Sequence, residues 1–304
     1  MNGAPLDTLL FAMRVLHFTA TISTGGVVVF RQAVVASYFA DAPFERTLRR
    51  IFAASIAILV ASGLGWFAVT AAAIADQPIQ DVFAGPLMSE VLLDTQFGQV
   101  SLLRLAMALA LSICVVADRG RWLSVALAVF LLASLAWLGH SGAAPSIFFT
   151  AADALHATGA GVWLGGLVPL ALLLASLRRQ KDAPSISVAS RVTQRFSTLG
   201  VVMVATILIS GVVNTWNLVG SVEGLLDTGY GRLLVVKIAL FLAMVSVAVV
   251  NRFRLSPRLQ VPGTLKLLER NCLIEAALGL LIVLIVGALG TMPPASHSHM
   301  EHLH

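Results

Sequence analysis

Two histidines sit inside long apolar runs of this chain. His156 lies in Leu155-His156-Ala157-Thr158-Gly159-Ala160-Gly161-Val162-Trp163-Leu164-Gly165-Gly166, and His17 in Leu16-His17-Phe18-Thr19-Ala20-Thr21-Ile22-Ser23-Thr24-Gly25-Gly26. An ionisable side chain within a membrane-length apolar run is expensive to keep there, which makes it a functional-site candidate by default. Imidazole suits copper, zinc, nickel and haem iron, and thioether sulfur selects Cu(I). Met13 precedes His17 by four residues, so the two share a helix face. Asp153 precedes His156 by three and is placed to orient its ring as a hydrogen-bond partner. His140 and Met292 stand at the ends of later apolar runs, and His297, His299, His302 and His304 form a short His-rich tract of metal-binding composition. A structural reading stands beside each of these. His17 and His156 would be satisfied histidines between helices, Met13 a gap-filler, His140 an interfacial residue and the tract an inert tail.

Four cations accompany them. Arg14, Arg104, Arg232 and Lys237 fall within apolar segments. Long basic side chains can snorkel to the nearest interface, which suits Arg232. Arg104 and Lys237 lie deeper. They would pair with Asp94, Glu223 or Asp227, or bind an anionic group such as a haem propionate. No Walker A loop, dinucleotide fingerprint, HExxH or nucleophile elbow occurs in the chain, so it is expected not to be an enzyme.

The elements that must position these groups follow from composition. With 58% hydrophobic and 12% charged residues among 304, the chain is far from the roughly one-quarter charged residues of an ordinary soluble domain. Apolar runs predict eight helices, at about 8–38, 51–75, 98–117, 122–139, 150–177, 196–217, 231–250 and 271–290, each long enough for ~30 Å of hydrocarbon. Fifteen of the twenty Lys and Arg residues fall after the first, third, fifth and seventh runs, and the alternate segments 76–97, 140–149 and 218–230 contain none. By the positive-inside bias both termini lie outside, and the +5 net charge belongs to cytoplasmic loops rather than to nucleic-acid binding. All seven histidines then map to the outer side. The N-terminus lacks a basic n-region and is read as retained. Cys114 and Cys272 sit in or beside apolar helices with no CxxC spacing, which gives neither a disulfide framework nor a zinc motif.

The halves also repeat. Thr95, Gly98 and Arg104 match Thr228, Gly231 and Lys237 at a constant offset of 133. Ser62-Gly63 with Trp66 matches Ser210-Gly211 with Trp216, Leu138-Gly139-His140 matches Leu289-Gly290-Thr291, and Leu16-His17 matches Leu155-His156. The fold expected is an all-α polytopic membrane protein of eight transmembrane helices in two parallel four-helix repeats, with both termini outside. The repeats, 1–145 and 146–292, would be related by an axis along the membrane normal, and 293–304 would be an external tail.

The second half resembles the bacterial copper-resistance D (CopD/PcoD) family. The likeness rests on His156 with Trp163-Leu164-Gly165-Gly166, Arg195-Phe196-Ser197, Ser210-Gly211-Val212-Val213-Asn214 with Trp216, and Tyr230-Gly231-Arg232-Leu233-Leu234 with Lys237. Asn251-Arg252-Phe253-Arg254, then Leu289-Gly290-Thr291 with Pro293-Pro294, complete it. It covers about residues 150–295, and the first half follows by topology. The resemblance implies a bacterial inner-membrane protein that takes up copper from the periplasm beside a separate CopC-like copper-binding protein. On that reading copper, as Cu(I) or Cu(II), meets an outer-leaflet site between the repeats. The resemblance does not supply the ligands; the residue types and their places along the spans nominate His17, His156, His140, Met13 and Met292, fed by the four tail histidines, with Asp153, Arg104, Lys237 and Arg14 around them. The alternative is a b-haem redox protein with His17 and His156 as the two axial ligands.

Overall fold

The computed structural model describes residues 3–35, 42–75, 78–82, 87–138, 146–180 and 183–293. Among the described residues there is no strand, and eight helices are long and apolar enough to cross a membrane. They are α1 (Leu6–Val35), α2 (Ala42–Ala75), α3 (Gln96–Val116), α4 (Arg121–Leu138), α5 (Ile147–Gln180), α6 (Pro184–Leu218), α7 (Gly229–Arg258) and α8 (Thr264–Leu289). The eight expected spans are all present. α2 and α6 begin well before their apolar runs, because Ala42–Arg50 and Pro184–Arg195 continue the helix through polar sequence. Hydropathy marks the part that fits lipid, whereas helix propensity and the i,i+4 pair Glu45–Arg49 carry the helix further.

Burial sorts the eight helices. The apolar windows of α5 and α1 are 67% and 56% buried, against 17% for α3 and 11% for α7. α1 and α5 therefore form the centre, and α3 and α7 present most of their surface outward, where hydrocarbon solvates Leu, Val and Ile as well as a protein core does. The central pair touches at two glycines. A Cβ on Gly26 would lie 2.3 Å from the Gly165 backbone, and one on Gly165 would lie 2.2 Å from the Ile22 carbonyl. Only glycine permits this approach. Phe30, Leu131, Leu132, Leu167, Leu173 and Leu174 fill the space around it.

Matching positions in the two halves make matching contacts. The Thr95 hydroxyl caps α3 by accepting from the Gly98 amide at 3.0 Å, and Thr228 caps α7 by accepting from Gly231 at 2.9 Å. Each hydroxyl also donates backwards into a short preceding helix, to Val91 in Leu87–Asp94 and to Gly224 in Val222–Asp227. These caps set the depth and rotation of Arg104 and Lys237, two turns further along. Two π-helical segments interrupt the regular pattern, Phe30–Val35 at the end of α1 and Asn251–Leu255 within α7.

Candidate functional site

In the first half, His17 is 4% exposed and held at both ring nitrogens. Nδ1 lies 3.2 Å from the Leu59 carbonyl and 3.3 Å from Ser62 Oγ on α2. Nε2 lies 2.9 Å from Arg104 Nη2 on α3. The tautomer follows from the partners. A guanidinium only donates and a carbonyl only accepts, so Nδ1 carries the proton and Nε2 the lone pair. Arg104 spends its remaining bonds on neutral acceptors: Thr21 Oγ1 at 3.0 Å, the Leu131 carbonyl at 2.9 Å and the Ser134 hydroxyl. It is 2% exposed, no described carboxylate pairs with it, and its Nε has no hydrogen-bond partner.

The second half repeats the design with different neighbours. His156 Nδ1 lies 3.1 Å from Ser210 Oγ, and that hydroxyl donates its own proton to the Thr206 carbonyl at 2.6 Å. Ser210 therefore accepts from Nδ1–H, and the ring presents an Nε2 lone pair. Lys237 is near enough to His156 and Asp153 to act on each through its charge. Asn214 Nδ2 donates to Asp153 Oδ1 at 3.2 Å, and Tyr230 stands within the field of the same carboxylate. Both rings lie against a glycine that leaves room for them. A Cβ on Gly63 would sit 3.2 Å from His17 Cε1, and one on Gly211 would sit 3.4 Å from His156 Cε1.

The structure does not bring the two histidines together between the halves. Gly26 lies nine residues beyond His17, and Gly165 nine beyond His156; at about 100° per residue that is about 180° round each helix. The glycines face one another, so the rings turn away, His17 towards α2 and α3 and His156 towards α6 and α7. One iron held axially by both rings, or one copper shared by them, is not formed in this arrangement. Among the described residues no group of three or more His, Cys, Asp or Glu side chains is placed to hold a metal.

The other expected residues fall as follows. Met13 shares the His17 face of α1, and its sulfur would be 2.6 Å from a Cβ on Gly65. Arg14 donates to the Gly290 carbonyl at the end of α8, and its guanidinium lies 5.1 Å from the Trp66 ring centroid. Met292 packs beside Tyr230 and Leu289, its methyl 3.4 Å from where a Gly229 Cβ would stand. Trp216 points outward at 74% exposure, while Trp66 is 3% exposed and edge-on to His17 at 5.6 Å. The Ser–Gly register pairs Trp66 with Asn214, not with Trp216. His140, His297, His299, His302 and His304 lie outside the described residues.

Sequence reasoning passed over two features. Ser62 and Ser210 were visible as repeat markers, three residues from no obvious charge, and only the fold shows that they orient the rings. Glu275 is an acid within the apolar run of α8, 2% exposed, and its position alone was a signal. It accepts from Asn251 Nδ2 at 2.6 Å in the π segment, and Asn271 donates to Asn251 Oδ1 at 2.8 Å.

Fold and site together define a polytopic helical membrane protein with a histidine–cation set in each half, buried in the first and half-buried in the second. Two family models match it, "Copper resistance protein D-like, N-terminal domain" over residues 5–147 and "Copper resistance protein D" over residues 190–289. The chain belongs to the copper resistance protein D family. It is 35% identical over 180 residues to Copper resistance protein D of Pseudomonas syringae pv. tomato, covering 56% of this chain and 58% of the relative. Copper transport protein CutJ of Bacillus subtilis is 28% identical over 255 residues, covering 81% of this chain and 46% of the relative. The chain thus spans about half the length of these two. Inner membrane protein YebZ of Escherichia coli is 28% identical over 304 residues, with 93% and 97% covered. No solved structure matches.

Proposed function

We propose that this protein carries copper inward across the bacterial inner membrane, receiving it on the periplasmic side from its own His-rich tail and from a CopC-like donor. The observation that carries the reading is His156. Its Nδ1–H is fixed on Ser210, which leaves Nε2 as a directed ligand, and Asp153 and Met292 belong to the same end of the second half. His297, His299, His302 and His304 follow Met292 within twelve residues, a span that lets the tail reach this set. The first-half histidine takes a different part. Its Nε2 already accepts from Arg104, so His17 joins a copper path only when that bond opens. The small residues Gly159, Gly161, Gly165 and Gly166 along α5 permit the helix shifts that such passage needs.

Copper accumulation in cells tests this. Replacing His156 by Ala is expected to reduce uptake to the level of cells lacking the protein, with the variant still present in the membrane. His17→Ala is expected to retain a measurable part. Uptake at the wild-type level in His156→Ala contradicts the proposal.

A further inference from the structure

We propose that the first half holds a binding site for an anionic amphiphile drawn from the bilayer, an acid head on Arg104 with an apolar chain beside it. This inference stands independently of the copper reading. A cavity of about 300 Å³ opens beside His17 and Arg104, at the lower edge of the usual range for small-molecule sites. Its walls are almost entirely apolar, with Trp66, Phe67 and Phe97 on the inner side. Leu64, Leu102 and Leu105 line the same space and are 56%, 38% and 45% exposed on the outer surface of a membrane-length bundle. The mouth therefore faces hydrocarbon, and a ligand enters from lipid.

Arg104 specifies the head. A guanidinium cannot lose its charge by any ordinary means, and a buried cation without a counter-charge is strongly destabilising. All four of its bonds go to neutral acceptors, and its Nε makes none. The group is thus fixed in place, charged, and short of one anion. The aromatic walls add flat apolar surface for a chain. A carboxylate on a long hydrocarbon satisfies both halves of the site. A neutral quinone satisfies only the walls, and free phosphate only the cation. The second half shows the contrast: Asp153 is near enough to Lys237 to act on it through its charge, whereas no described carboxylate pairs with Arg104.

The test uses the full chain in neutral detergent with 9,10-dibromostearate, whose bromines quench nearby tryptophan. Saturable quenching is expected, lost in Trp66→Phe and weaker by about tenfold or more in Arg104→Gln, the scale of one charge-assisted hydrogen bond. The methyl ester of the same acid should quench at least tenfold less well. Ser101→Phe, which fills the cavity and leaves Arg104 in place, should abolish saturable quenching and decides the matter if Arg104→Gln fails to fold. Equal quenching by acid and ester, or unchanged quenching in Ser101→Phe, overturns the proposal. Displacement of the acid by inorganic phosphate, or by a neutral quinone at equal concentration, also overturns it.

Discussion

At the scale of single residues, the two histidines differ in what their Nε2 atoms do. His17 is a member of a closed network that runs from Ser62 through the ring to Arg104 and on to Thr21, Leu131 and Ser134. Removing it strands a donor of a buried guanidinium, so His17→Ala should destabilise the protein by about 1–3 kcal/mol, read as a lower melting temperature in detergent. Pairing it with Arg104→Met should cost less than the two single changes added, because the stranded charge goes too. His156 Nδ1 meets the Ser210 hydroxyl at 3.1 Å and the Ile207 carbonyl on the same helix. Ser210→Ala leaves the ring held by the Ile207 carbonyl alone, and copper affinity should fall by about 10-fold, the lower end of the usual effect of losing a group that orients a ligating imidazole; titration with a competing chelator measures it. Residue types alone showed both histidines, both deep cations and the Ser–Gly marks of the repeat. They did not show which nitrogen is engaged, since that depends on partners 42 to 87 positions away.

At the scale of elements, the α1–α5 contact decides where the histidines point. Each helix has its glycine about half a turn out of phase with its histidine, so close packing at Gly26 and Gly165 turns the rings outward into separate sites. Gly165→Val would drive a methyl into the Ile22 carbonyl, 2.2 Å from the Cβ position. Overpacking of this kind costs about 1–3 kcal/mol or more, and the backbone on the receiving side leaves little room for relief, so loss of folded protein from membranes is expected. The sequence offered the glycines and the small-residue packing rule, but not the rotation that places a shared site out of reach. A second element-level feature is the π segment of α7. It brings Asn251 to Glu275, and the carboxylate depends on that amide in an apolar setting. Asn251→Leu should therefore destabilise the protein more than Glu275→Gln, which keeps an acceptor for Asn251 Nδ2; melting curves of the two variants compare them.

At the scale of the whole molecule, eight spans were legible from hydropathy because lipid imposes the same length and composition on each of them. The same depth of cap, cation and histidine in each half follows from the matching contacts of Thr95 and Thr228 and of Ser62 and Ser210. The halves diverge where Trp66 and Arg14 border one set and Asn214 and Asp153 the other. That divergence fits a division of labour, an amphiphile site in one half and a metal-facing set in the other. Orientation rests on the placement of basic residues. With Cys114 and Cys272 replaced by Ser, a cysteine at Ser221 should react with an impermeant maleimide added outside intact cells, and one at Arg258 only after the membrane is opened.

The most direct measurement of the central claim is the copper-to-protein ratio of the purified chain, taken with its visible spectrum, for wild type, His17→Ala and His156→Ala. The proposal that His156 receives the metal predicts copper near one per chain in wild type and in His17→Ala, loss in His156→Ala, and no Soret band. Copper retained in full by His156→Ala contradicts it, and a Soret band that vanishes with either histidine assigns the protein to haem instead.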